Sequence, residues 1–422
     1  MNKAVLITKG IAFLIFFDSL FFINIGVLFF NFTLLRIILL GLFFILIAKQ
    51  IGSKNLIISS SRYINNVLLF FIVWIVYGIL QITWVIDRTS AIRQVYYLSL
   101  FFVLIYIILI LLDSKHIFTK LNKFLYYMTT FFIIFGVMEL NFDIHFPTSR
   151  VIDQPELYYN IKRTTAVFYN ENDFSFYLAL ITPMFLLNIL YKKGIKKLLN
   201  ILLVGMIFYI IIANDSKLSL IALLIEIIVL MFLIGRKKTT SFFLAVVIVC
   251  SLLFLQQSYL QNSYDLVKQQ LYNQSGSASI RAELFFTGLE LLKRSYFLGV
   301  GPGNFEANIY AITYGKGIDG IVNAHNWWME LLVNYGLIGF LIYLLIFFYM
   351  LIHLNKIRKS GERIYSFYGT YFFISYIGFI ISSASSSSIF YNWYQWLHFA
   401  LAISLINIFS KGQLRGRHSI MY

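Results

Sequence analysis

The strongest constraint on this chain is a succession of long, nearly uninterrupted apolar runs. They fall near residues 10–30, 32–48, 64–83, 92–112, 122–140, 174–190, 196–213, 217–235, 240–258, 326–352, 364–383 and 388–410. Each is close to the roughly 20 residues an α-helix needs to cross a bilayer. The runs do not alternate in polarity, which argues against a transmembrane β-barrel. Helices pair their backbone groups within one segment, as lipid demands. The expected fold is therefore all-α: a polytopic transmembrane helix bundle of about twelve spans, with 1–422 as a single integral membrane domain. Composition agrees: 12% of residues are charged, against about 25% in soluble domains. The one cysteine, Cys250, sits in an apolar run, so no disulfide framework is expected. The opening MNKAVLITKG leads into the first run without a small-residue cleavage site, and reads as an uncleaved first helix.

Charge then orients the bundle. Basic clusters occupy alternate connections: Lys3 and Lys9; Lys49, Lys54 and Arg62; Lys115, Lys120 and Lys123; Lys192, Lys193, Lys196 and Lys197; Arg236, Lys237 and Lys238; Lys356, Arg358, Lys359 and Arg363; Lys411, Arg415 and Arg417. They hold most of the 34 Lys and Arg residues, with only Asp113 and Glu362 set against them. The positive-inside rule makes this face cytoplasmic, both termini included, and the alternation calls for an even number of spans. The net charge of +16 is thus mostly a topology signal. Its dispersal over short loops excludes nucleic acid as the expected partner.

The same assignment puts two long connections outside, one from about Asn141 to Asp173 and a large extracytoplasmic loop over 259–325. In the second, SASIRAELFFTGLELLKRSYF carries Leu284, Phe285, Leu289 and Leu292 at helical spacing. This predicts an amphipathic helix on the outer membrane surface. The remaining cations are Arg36, Arg88, Arg93, Arg150, Lys162, Arg163, Lys217, Lys268, Arg281, Lys293, Arg294 and Lys316. A planar guanidinium suits phosphate, although for any single one a solvated loop charge is the simpler account.

Three segments stand above that background. NDSKLSL (214–220) sets Asp215 and Lys217 between two apolar runs, where an ion pair between them and a ligand role for Lys217 weigh about evenly. RSYFLGVGPGNFEANIY (294–310) alternates Gly299, Gly301 and Gly303 around Pro302, a tight loop with exposed amides. No strand precedes it and no Lys–Ser/Thr pair follows, so a structural turn is a better reading than a phosphate loop. NAHNWWMELLVNYGLIGFL (323–341) places His325, Asn326, Trp327, Trp328 and Glu330 where the chain re-enters the bilayer. Asn323 or Asn326 can cap the helix there, and tryptophan at this depth is ordinarily an interfacial anchor. The functional reading is that a neutral histidine is a competent general base. Tryptophan faces suit sugar rings, and a helix N-terminus favours negative charge. No two of the six histidines are close enough in sequence for a local metal motif, so neither metal nor cofactor is expected.

Taken in order, RAELF, GVGPGNF and HNWWMELLVNYGLIG resemble the signature region of the O-antigen ligase and O-antigen polymerase family of bacterial polytopic membrane glycosyltransferases. Members typically show R-x-E-x-(F/W), then G-x-G-x-x-x-F, then H-N-x-x-x-E-x-x-x-x-x-G-x-x-G. The direct match runs from Arg281 to Phe340. RTTAVFYNENDFSFYLAL, with Arg163, Asn170 and Asn172, resembles the family's segment entering a mid-chain helix. NDSKLSL resembles a T-x-S-R-like turn, with Lys217 where arginine is usual. The resemblance implies a donor glycan on undecaprenyl pyrophosphate and an acceptor hydroxyl on another glycan or lipid, at the outer face of the cytoplasmic membrane. On this basis His325 would activate the acceptor hydroxyl, and Arg281 with Lys217 would hold the pyrophosphate. Arg163 would be a third contact, and Glu330 would orient His325 or support the fold. Asn326, Trp327 and Trp328 would line the substrate site. A pyrophosphate leaving group needs cations more than a metal, and attack opposite it inverts the anomeric centre.

Polymerase and ligase differ in acceptor, and the shared motif does not separate them; polymerase is favoured as the commoner need of surface-polysaccharide assembly. A chain-length regulator or a flippase would be its natural partners. A transporter or flippase is the alternative of another class. It would ordinarily show internal repeats, and none is seen between the halves. Asp18 and Glu226 would then be relay residues, although a hydrogen bond to a neighbouring helix is the simpler account of each.

Overall fold

The computed structural model describes residues 3–18, 33–53, 61–158, 161–235, 277–315, 317–318, 322–384 and 389–418. The expected span 240–258, the later part of 10–30, the 259–276 part of the large outer loop and Lys316 lie outside the described residues. The described residues form α-helices and two short 3-10 turns, with no β-strand. In chain order the helices are α1 (Lys3–Phe17), α2 (Leu34–Gly52), α3 (Arg62–Gln81), α4 (Arg88–Leu111), α5 (Lys115–Phe142), α6 (Arg150–Asp153), α7 (Glu171–Tyr191), α8 (Gly194–Ala213), α9 (Lys217–Ile234), α10 (Ser277–Arg294), α11 (Phe305–Ile312), α12 (Trp327–Arg358), α13 (Arg363–Ser382) and α14 (Trp393–His418). Among the described residues nine are long and apolar enough to cross a membrane: α2 to α5, α7 to α9, α12 and α13. The protein is thus a polytopic all-α bundle. The run expected at 388–410 appears as α14, which is buried along its length through Ile408 and carries Gln395, His398, Ser404 and Asn407 inside the protein.

The bundle is built around α7. Nearly every residue from Asp173 to Leu187 is buried there, and it packs against α8, α13 and α9. A second group joins α14 to α4, and α4 to α2 and α3. Apolar side chains on the outer helix faces, such as Phe44, Ile45 and Leu69, are exposed. On a chain that spans a bilayer such faces meet lipid rather than water.

The connections segregate to two ends. At one end the α4–α5 connection meets the α12–α13 connection through a Lys115–Glu362 ion pair, and Lys123, Lys192 and Lys196 surround one cleft. At the other end Asn214 accepts from the Thr164 amide (2.9 Å). Asn304 accepts from the Asp87 amide (2.8 Å), and the Trp327 amide donates to the Ser383 carbonyl (3.1 Å). Basic residues of the α4–α5, α7–α8 and α12–α13 connections thus lie at the first of these ends.

Helix α12 is interrupted near its start. Gly336 has φ 71° and ψ −178°, outside helical geometry. The residues 297–301 fill the break: the Val300 amide donates to the Val333 carbonyl, Gly301 to Asn334, and Leu337 to Phe297, each at 2.9 Å. The Gln81 amide group donates to the carbonyls of Leu298 and Asn334, both at 3.0 Å. The Trp84 indole donates to Gly299 (3.1 Å). The amides of Val300 and Gly301 are therefore consumed by the protein. The glycine loop is a structural turn, as its sequence favours, and its job is to satisfy the backbone that the helix break exposes.

Candidate active site

The end that gathers Asn214, Asn304 and Ser383 also gathers the predicted residues. His325 precedes the start of α12. The N-cap itself is Asn326, whose side chain accepts from the amides of Trp328 (3.0 Å) and Met329 (3.3 Å). Asn323, the other predicted cap, instead accepts from the His325 amide (2.8 Å) and donates to Glu306 (2.7 Å). His325 sits in the left-handed region, with φ 43°. A non-glycine residue held there costs about 1–3 kcal/mol and is found most often at working sites.

The amphipathic helix forms as α10. Its buried face is Leu284, Leu291 and Leu292, turned toward α12 and α11. Phe285 is not part of that face: it points outward and lines a pocket with Arg281, Ala324, His325, Asn326, Met329 and Ala384. The pocket holds about 70 Å³, room for a hydroxyl group and a water at about 30 Å³ per water. The structure thus unites His325, Arg281 and Asn326. Burial holds the His325 imidazole below its ordinary pKa, and the charges of Arg281 and Arg150 push it the same way. An imidazole so placed is neutral near pH 7 and free to accept a proton.

The other predicted residues divide. Trp327 is fully buried. Its indole donates to Tyr343 (3.3 Å), and its ring packs on Phe390 and Trp396. It offers no face to a sugar and anchors the start of α12. Trp328 is half-buried, donates to the Ile380 carbonyl (2.9 Å) and packs on Phe347 and Phe379. It ties α12 to α13. Glu330 is half-buried and absent from the His325 pocket; its charge acts on Tyr391 instead. Lys217 is exposed at the first turn of α9 and forms no ion pair with Asp215. Arg163 donates to the Ala213 carbonyl (2.5 Å) at the end of α8, so it and the 214–217 turn are neighbours, and neither Arg163 nor Lys217 lines the His325 pocket.

The 163–166 segment owes its course to Glu139, at the end of α5. This buried carboxylate accepts from the Thr164 hydroxyl and from the amides of Thr165 (3.0 Å) and Ala166 (2.6 Å). His145 is within 3.1 Å of its other oxygen. A buried charge with this many donors is a well-satisfied anchor.

Arg150 was not selected from the sequence. Its amide donates to the Tyr169 carbonyl (2.8 Å), its guanidinium to Gln154 (2.9 Å), and its charge reaches His325. No motif marks it. The only sequence signal was that it is one of the few cations on an outer loop.

A larger cavity of about 490 Å³ opens at the same end. Asn323 lines it together with Asp18, Arg36, Tyr97, Thr148, Tyr169, Asn170, Asp173, Tyr391 and Asn392. The 323–326 segment therefore borders both spaces. A half-buried histidine, nearby arginines and two concavities thus gather at one end of a polytopic membrane bundle. Residues 201–344 match the family model described as O-antigen ligase. That match spans Lys217, Arg281, His325 and Glu330 and leaves Arg150 and Arg163 outside it.

Among characterised proteins, the chain is similar to the teichuronic acid biosynthesis protein TuaE of Bacillus subtilis (strain 168). The two are 25% identical over 410 residues, which cover 94% of this chain and 82% of that one.

Proposed function

We propose that this protein is a glycosyltransferase of polysaccharide biosynthesis, acting on an undecaprenyl-pyrophosphate-linked glycan at the outer face of the cytoplasmic membrane. The observation that carries the reading is the shared pocket of His325 and Arg281, a neutral base beside a cation, within the segment matched to the O-antigen ligase family. The described basic residues gathered at the opposite end, Lys115, Lys123, Lys192 and Lys196, support an outward-facing site with both termini cytoplasmic.

In the reaction, the acceptor hydroxyl attacks the anomeric carbon of the donor sugar. A new C–O bond forms, and the bond from the anomeric carbon to the pyrophosphate oxygen breaks with inversion. The hydroxyl proton goes to the free ring nitrogen of His325. The bonding pair leaves on the lipid pyrophosphate, whose charge Arg281 stabilises with Arg150 in support. Lys217 in the 214–217 turn, and Arg163 bound to the Ala213 carbonyl just before it, extend the anion-binding surface. Pyrophosphate is already an activated leaving group, so the mechanism assigns no metal.

The acceptor proposed is a second lipid-linked repeat unit, which makes the protein a polymerase. Transfer of the finished glycan to a lipid or other acceptor is the second reading, favoured by the ligase description of the matched family. The test is a deletion strain complemented with wild type or with His325→Ala at equal protein level. Short lipid-linked repeat units should accumulate with the variant. Full-length glycan retained on its lipid would favour the ligase, and normal surface glycan would overturn the role of His325.

A further inference from the structure

Resting on the glycosyltransferase reading above, we propose that the 490 Å³ cavity beside the His325 loop is the acceptor-glycan subsite, which holds uncharged sugar through its hydroxyls. The cavity is of ligand size; such sites run about 300–1,000 Å³. Its wall is assembled from the ends of helices that otherwise sit in lipid or protein, yet it is rich in buried polar groups. Asp18, Arg36, Asp173 and Asn392 are each less than a tenth exposed and face it. Burying so much polarity without function is costly.

The wall has the chemistry of sugar recognition. Asp173 accepts from Asn170 (2.6 Å) and Asn392 (3.2 Å), which fixes carboxylate and amide groups side by side. Such planar groups suit neighbouring hydroxyls, which both donate and accept. Arg36 lies over the Tyr97 ring at 5.0 Å and donates to its hydroxyl (2.9 Å), a fixed donor beside an aromatic surface. Tyr391 adds a second, half-exposed ring.

Charge decides which part of the substrate enters. Among the described lining residues two carboxylates, Asp18 and Asp173, oppose one guanidinium, Arg36. A pyrophosphate would meet net repulsion here, whereas Arg281 and Arg150 attract it at the neighbouring pocket. The division puts the leaving group on one side of the 323–326 segment and a neutral glycan on the other. Asn323 makes the link, since it lines the cavity and holds the His325 amide. A sugar seated in the cavity would lie against the loop that carries His325.

The test uses the free oligosaccharide repeat, released by mild acid from the lipid-linked material of a deletion strain and stripped of phosphate. This probe carries no pyrophosphate. Its binding to the purified full-length protein in detergent would be titrated by thermophoresis, with thermal unfolding measured in parallel. Millimolar or tighter binding to wild type is expected. Thr148→Phe, which fills the cavity from a loop, and Tyr391→Ala should each weaken it by about tenfold or more at unchanged unfolding temperature. Arg281→Gln should leave it within about twofold. No binding to wild type, or binding untouched by Thr148→Phe, or binding lost with Arg281→Gln, would each overturn the assignment. The titration needs no catalysis, so its failure is distinct from normal glycan in the His325→Ala strain, which would sink the underlying reading.

Discussion

Replacing Gly336 by alanine should unfold the protein more readily than almost any other single methyl group added to it. A Cβ built there meets the Phe297 carbonyl oxygen at 2.4 Å and the Leu298 carbonyl carbon at 2.5 Å. These are backbone atoms and cannot swing aside. Gly336 also occupies φ 71° with ψ near 180°, a region essentially confined to glycine, where another residue costs about 1–3 kcal/mol. Overpacking adds about 1–3 kcal/mol. The expected loss is therefore about 2–6 kcal/mol, and its lower end already shifts the folded-to-unfolded ratio roughly thirtyfold. Gly299, across the gap, is the mirror case: its Cβ would lie 2.5 Å from the Gly336 nitrogen. Either methyl forces the same two segments apart, so Gly299→Ala combined with Gly336→Ala should cost well below the sum of the singles. Thermal unfolding in detergent, followed by tryptophan fluorescence, measures all three. Gly205→Ala in α8 is the control, since nothing lies within 4 Å of its Cβ and alanine favours a helix by about 1 kcal/mol. A Gly336→Ala protein as stable as that control, or strictly additive singles, would refute the reasoning.

Three further outcomes follow from the site and its frame. Because burial and two arginines hold the His325 pKa down, activity should rise with pH along a limb below that of free imidazole. Arg150→Gln removes one repelling charge and should move the limb to higher pH in a rate profile; an unmoved limb would separate Arg150 from the site. Asn326→Ala removes the cap of α12 and should cost about 1 kcal/mol, whereas Trp327→Ala, which empties a core position, should cost on the order of 3 kcal/mol or more, both read by thermal unfolding. In a background with Cys250 replaced, a cysteine at Tyr314, which is almost fully exposed, should react with an impermeant maleimide from outside the cell, and a cysteine at Lys359 should not.

Much of the frame was legible because lipid is an unforgiving solvent. It forces each span to be a continuous apolar helix, so α3, α4, α5, α7, α8, α9, α12 and α13 stand close to where their apolar runs predict. The Asn326 cap was legible for a local reason: its partners are two and three residues away. What escaped depends on contacts remote in sequence. An interfacial tryptophan and a core tryptophan read alike, so Trp327 looked like a sugar platform until Tyr343, Phe390 and Trp396 were seen to enclose it. Phe285 stands next to Leu284 in sequence but turns off the face that Leu284, Leu291 and Leu292 bury, a phase that the contacts with α11 and α12 set. Arg150 carries no motif and acquires its place only through the backbone of Tyr169.

The least legible feature is also the one that joins the family-like motifs into a device. In the proposed reaction His325 must stand at the membrane surface, yet α12 beneath it must remain a spanning helix. Breaking that helix at Gly336 frees carbonyls at Val333 and Asn334 and an amide at Leu337, groups that hydrocarbon would punish by several kcal/mol each. The glycine loop returns a partner to each of them, and Gln81 of α3 clamps both sides. The same loop continues into α11, where the Phe305 amide donates to the Asn334 side chain (2.9 Å), and α11 packs with α10, which carries Arg281. Gly299 of the G-x-G element and Gly336 of the G-x-x-G element thus answer one packing problem: glycine is needed on both sides because two backbones approach within contact distance. Arg281 and His325 stand on elements that this contact joins, so in the proposed reaction it would help set the spacing between the leaving-group cation and the base.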